Sequence, residues 1–157
     1  MDSLEIVKKV SLFQLKESDL SASEANLLQE AISASHRAYA PHSKFYVGSA
    51  LLLDNGEVVT GSNQENAAYP SGLCAERVAL FKAGSDFPSA KVLKIAIYAH
   101  SQNYKVPDIL CPCGGCLQVM SETENRQKAH FDILLKSETA ILKAKGVAQF
   151  LPFSFVI

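Results

Sequence analysis

Apolar and polar positions switch between helical and strand periods along this chain, and the switches mark its elements. From Ser21 to about Ala40, Leu27, Leu28, Ile32 and Ala38 recur at helical spacing, with Ser21 or Ser23 placed to cap the first turn and Pro41 to stop the run. Residues 44–53 and 57–61 are apolar, β-branched runs on either side of Asp54-Asn55-Gly56, a strong hairpin signal. Ala, Leu and Val content predicts a helix from Cys74 to Gly84, closed by that glycine. Residues 92–99 read as a buried strand, and Pro112 opens a short helix starting near Cys113. Residues 131–135 and 140–145 are two more strands, and 147–151 a last helical turn. Residues 1–20 form an extension with some strand character at 4–7 and 10–15. Helices interspersed with strands imply an α/β layered domain with a mixed sheet.

The predicted helix starts coincide with the cysteines. Cys113 and Cys116 are three apart, so in a first helical turn both sulfurs lie on one side, and Cys74 opens the other helix. Helix N-termini carry unpaired N–H groups and partial positive charge, which favour the thiolates a metal requires. Three thiolates leave a fourth position open, as in catalytic rather than structural zinc sites. Glu76, two residues after Cys74, stays close without ligating, which suits a general acid/base. A lone C-x-x-C also serves redox pairs and zinc ribbons, and a structural four-cysteine site would recruit Cys111. The Cys111-Pro112-Cys113 spacing is awkward for two ligands on one tetrahedral ion, and a redox pair leaves Cys74 and Glu76 without a role. None of His36, His42, His100 and His130 has metal-ligand spacing to the cysteines.

Composition narrows the partners. The 157 residues carry 15 basic and 16 acidic side chains, a formal charge of −1, with no basic cluster, so a polynucleotide is not the expected partner. No apolar run is long enough to span a bilayer and the N-terminus lacks a signal-peptide pattern, so a cytoplasmic location with reduced, metal-bound thiols is expected. Hydrophobic content of 48% suits a single domain, read as 21–157 following the extension.

With these residues in hand, the chain resembles the small three-cysteine class of cytidine deaminase from about Ala38 to Phe155. The blocks are A-Y-A-P-H-S-K-F-Y-V-G at 38–48, N-Q-E-N-A-A-Y-P at 63–70, C-A-E-R at 74–77, P-C-G-G-C-L-Q at 112–118 and L-P-F-S-F at 151–155. The resemblance implies a three-layer fold with a five-stranded mixed sheet and helices on both faces. It implies one Zn²⁺ per chain on Cys74, Cys113 and Cys116, with Glu76 catalytic, and deamination of cytidine and deoxycytidine in pyrimidine salvage. It further implies that Asn63 and Glu65 hold the ribose 3′-hydroxyl and that Phe45 packs on the pyrimidine. The Ala75 N–H would meet the base carbonyl, and the Cys111 C=O the exocyclic amine. Phe155 would reach a neighbour's active site in a homotetramer, for which the apolar, uncharged tail 150–157 is suited. One departure stands out: Leu117 replaces the Arg that commonly follows the last zinc cysteine, leaving Arg77 as the only expected cation at the cluster. Arg at 117 is expected to be tolerated unless Leu117 packs on an apolar neighbour.

Overall fold

The computed structural model describes residues 3–156 and contains a mixed sheet with helices on both faces. The strands are β1 (Phe13–Leu15), β2 (Phe45–Leu53), β3 (Val58–Ser62), β4 (Val92–Ser101), β5 (Asp132–Lys136) and β6 (Ile141–Lys145). The helices are α1 (Ala22–Ser35), α2 (Ala75–Asp86) and α3 (Gly114–Gln127). The sheet order is β1-β6-β5-β4-β2-β3, antiparallel except for β4–β5, which run parallel through the crossover helix α3. Six strands stand where five were expected. The sixth is β1, which pairs Phe13 with Lys143 and Leu15 with Ile141 and so covers the edge of β6. Residues 4–7 form no strand, and Ile157 at the end of the apolar tail lies outside the described residues.

Alternation along the strands builds two cores. Val47, Leu51, Ile95, Ile97 and Leu135 face α2 and α3, whereas Ala50, Ala96 and Leu134 face Leu27, Leu28 and Ala31 of α1. The hairpin forms as expected, with Gly56 at φ +89° supplying the left-handed turn residue.

Three helix boundaries differ from expectation. Ser21 caps α1 reciprocally with Glu24, but the helix ends at Ser35, five residues early, because the next segment is drawn to the sheet. The Tyr39 N–H donates to the Asn63 carbonyl and the Glu65 N–H to the Tyr39 carbonyl. Gly84 does not close α2, which continues to Asp86 and stops at Phe87, the residue before Pro88. The third helix is not short: α3 runs for 14 residues on a buried stripe of Cys116, Leu117, Met120, Thr123 and Glu124. Its polar members obscured that stripe in the sequence. Glu124 is satisfied inside, accepting from the Phe131 and Val147 N–H groups.

On the opposite face Glu24, 4% exposed, ties α1 to the sheet by accepting from Lys94 (3.1 Å) and Lys143 (2.6 Å). Burial alone would raise its carboxyl, but hydrogen bonds from Lys143, Ser21 and Lys94 outweigh it and lower the pKa from 4.5 to about 2. A depressed carboxylate stabilises the fold fully above its unfolded value of 4.5, and this contribution is lost as pH falls towards 2. Glu24→Gln is therefore expected to lower stability by roughly 1–3 kcal/mol at pH 7, with the gap to the unsubstituted chain closing between pH 4.5 and 2. Denaturant unfolding at several pH values checks this; a gap independent of pH would contradict it.

Candidate metal centre and adjoining cavity

The site lies at the carboxyl end of β4, where the chain leaves the sheet to start α3, a position that open α/β sheets commonly use for ligands. Cys74 is the N-cap of α2 and Cys113 the N-cap of α3, both in extended conformation and neither with a side-chain capping bond. Their sulfurs are thus free to meet in front of two helix N-termini. Cys116 follows one turn into α3 and is fully buried.

The Cys74 and Cys113 sulfurs are 3.9 Å apart, those of Cys113 and Cys116 3.5 Å, and all three lie within 4.8 Å of one another. A tetrahedral ion with Zn–S bonds near 2.3 Å needs S···S separations of about 3.8 Å, so this donor set fits zinc. Among the described residues these cysteines are the one such group; neither Cys111 nor a histidine joins it. The cluster's proton affinities are unevenly shared. The Cys74 thiol is lowered to about 5, first by its contact to Cys116 and then, against burial, by Arg77 and Cys113. Contact with Cys74 and burial push the Cys116 thiol up. The Arg77 guanidinium reaches the Cys74 sulfur at 3.7 Å.

Glu76 sits in the first turn of α2, 5% exposed. Burial raises its carboxyl to about 7, and the nearby Cys74 charge adds to the shift. Such a group can both take and release a proton near neutral pH. Ala75, fully buried, opens the helix beside it.

A cavity of about 190 Å³ brings together Phe45, Asn63, Cys74, Glu76, Cys111 and Cys113. Its remaining wall is apolar: Val47, Ile97, Ala99, Leu110, Pro112 and Leu135. Sequence reasoning did not single these out as site residues, although the period-two pattern of β2 and β4 places Val47, Ile97 and Ala99 on one face. A second cleft of about 560 Å³ shares Asn63 and Cys74 and adds Glu65 and Arg77. Asn63 accepts from the Val47 N–H (2.8 Å) and donates to the Phe45 carbonyl (2.9 Å), which leaves one N–H and one lone pair for another partner. Glu65 accepts from the His42 and Ser43 N–H groups. Its carboxyl is held below the usual range, first by the Ser43 side chain and then by those amides. Phe155 lies apart from both spaces. It borders a groove between α2 and α3, 69% exposed, with its carbonyl bonded to Gln118.

The fold and site define an α/β domain that presents three thiols at two helix N-termini to a buried carboxylate. Residues 21–130 match the family model described as the cytidine and deoxycytidylate deaminase zinc-binding region, and the chain belongs to that family. It is 49% identical over 96 residues to a cytidine deaminase of Halalkalibacterium halodurans, covering 61% of this chain and 68% of that one. It is 39% identical over 130 residues to a cytidine deaminase of Sporosarcina psychrophila, covering 82% and 88%. The solved structure of a cytidine deaminase from Burkholderia pseudomallei matches with a TM-score of 0.72 at 31% identity, covering 87% of this chain and all of that one.

For Leu117 the stated exception applies, because its side chain packs on apolar neighbours. It is 7% exposed and packs in the core shared by α2, α3 and the sheet. Leu117→Arg is expected to cost about 1–3 kcal/mol from overpacking, and more where the guanidinium stays unpaired. A urea-unfolding midpoint unchanged by the substitution would contradict this.

Proposed function

We propose that this protein hydrolyses cytidine and deoxycytidine to uridine and deoxyuridine with release of ammonia, one zinc being held per chain by Cys74, Cys113 and Cys116. The observation that carries the reading is the buried Glu76 beside the three-thiol cluster, in a cavity walled by Phe45 and aliphatic side chains. Zinc held there supplies the Lewis acidity that makes water a nucleophile at neutral pH. Glu76 takes one proton from the attacking water and delivers it to N3 of the base, then takes the second from the hydroxyl now on C4 and passes it to the amine, which leaves as ammonia. Phe45 packs against the pyrimidine. The Ala75 N–H donates to the base carbonyl, the Cys111 carbonyl accepts from the exocyclic amine, and Arg77 offsets the thiolate charge. Asn63, through its remaining N–H and lone pair, and Glu65 hold the ribose 3′-hydroxyl. A site built to bond a hydroxyl discriminates against analogues that lack it.

Residues 21–157 form the deaminase domain in this reading, with 1–20 as an extension, and its setting is pyrimidine salvage in the cytoplasm. The assembly is a homotetramer in which Phe155 completes a neighbour's pocket. In support, Phe81, Phe153, Phe155 and Val156 are all more than half exposed, a concentration of apolar surface that suits an interface. A monomer with full activity in light scattering at assay concentration would rule out the shared site.

Glu76→Gln keeps the shape of the side chain but cannot carry the proton. It is expected to lower cytidine turnover ~10²–10⁴-fold with zinc content and circular dichroism unchanged, followed by loss of absorbance at the cytosine band. Near-normal turnover in this variant would remove Glu76 from the mechanism.

A further inference from the structure

Phe45 is fixed at its backbone and supported at its ring from outside the cavity. Its N–H donates to the Ser43 hydroxyl (3.0 Å), and its carbonyl accepts from Asn63 (2.9 Å). The residue before it, Lys44, adopts φ +54°, a left-handed conformation uncommon for a non-glycine residue. Three constraints thus set where β2 begins and where the Phe45 side chain starts. They do not set the plane of the ring.

That plane is matched by Tyr104, whose ring lies 6.2 Å from that of Phe45, centroid to centroid, with only 10° between the planes. Tyr104 comes from the loop joining β4 to α3, the same loop that carries Cys111 and ends at Cys113. The loop is anchored close by. Val106 is fully buried two residues later, the Asp108 carboxylate bonds the Thr139 hydroxyl, and the Asn103 N–H donates to the Ser101 hydroxyl. Tyr104 itself is 54% exposed and does not line the cavity that holds Cys74 and Glu76. A half-exposed aromatic on an anchored loop, parallel to the cavity's own aromatic, has little burial of its own to account for its position.

We propose that Tyr104 is a positioning residue that holds the Phe45 ring in the plane at which a flat heterocycle stacks, and so sets affinity for the nucleoside. The role rests on the nucleoside reading above. Nearly parallel aromatic pairs at this separation contribute beyond the area they bury, and a ring held in one orientation loses less freedom when a ligand stacks on it. The contribution belongs to binding. Tyr104 does not line the reacting cavity, so its loss acts on ground state and transition state alike.

The test is Tyr104→Ala against Tyr104→Phe in the zinc-loaded chain, read in two ways. In steady-state deamination of cytidine, Tyr104→Ala is expected to raise KM roughly threefold to tenfold with kcat within about twofold, and Tyr104→Phe to restore KM. In nucleoside-free protein, the aromatic resonances of labelled Phe45 should shift in Tyr104→Ala and stay in place in Tyr104→Phe. Unchanged KM in Tyr104→Ala, equal impairment of the two variants, or Phe45 resonances indifferent to Tyr104 would overturn the role while leaving the deaminase reading intact. An unsubstituted chain that neither binds nor converts cytidine would instead bring down the nucleoside reading, and the affinity role with it, even with the resonance shift present.

Discussion

The rest of this structure depends on bringing two helix N-termini to within a few ångströms of each other. The sulfurs at the N-caps of α2 and α3 are 3.9 Å apart, though the residues that carry them are separated by β4 and a loop. Both ends present partial positive charge to the same point, an arrangement that repels unless thiolates or another negative group stand between them. The cysteines are therefore part of what makes the packing tolerable as well as the candidate ligands. The sheet meets the same demand from below. Gly61 on β3 lets α2 settle directly onto the strand; an added Cβ there would lie 2.6 Å from the Ala75 carbonyl oxygen and from the Ala79 nitrogen. On the other face Gly48 performs the same service for α1, where a Cβ would fall 1.9 Å from the Ala31 carbonyl oxygen.

Charge is handled differently on the two sides of the sheet. Under α1, Glu24 and Asp132 meet Lys94, Lys143 and Lys145 in a network where every carboxylate has cationic partners. That balance gives stability and no chemistry. Under α2 and α3 the balance is left incomplete. Glu76 is buried with its carboxyl raised to about 7, next to the Cys74 thiol, which is lowered to about 5, with Arg77 as the cation that reaches that sulfur. Incompletely neutralised buried groups in a cavity mark functional sites more often than structural ones. Leu117, directly after the last cysteine, is buried and adds apolar contact to the core rather than charge to the cluster.

Much of this could be read from the residues. Asp54-Asn55-Gly56 announced the hairpin, the cysteine positions announced two helix starts, and the apolar runs at 44–53 and 92–99 announced buried strands. What could not be read is set by tertiary contacts. The early end of α1 follows from Tyr39 bonding to Asn63 and Glu65, 24 and 26 residues away. β1 falls within the strand character read at 10–15, but its place in the sheet is set by β6, which offers it an edge. The length of α3 was hidden because Thr123 and Glu124 look solvent-facing until the Val119 carbonyl is seen to accept from Thr123, and the Phe131 and Val147 N–H groups to donate to Glu124. Within the candidate site, the grouping of the three cysteines and the nearness of Glu76 were legible from local spacing. The aliphatic wall and Tyr104 were not, because they enter from strands and a loop that only the fold brings together.

The central claim is a zinc centre with three thiolates and an open position. Metal analysis combined with zinc-edge X-ray absorption on the purified protein tests it directly. The account predicts one zinc per chain with three sulfur neighbours at about 2.3 Å and one lighter atom. A fourth sulfur, a histidine nitrogen in the shell, or protein that takes up no zinc would contradict it.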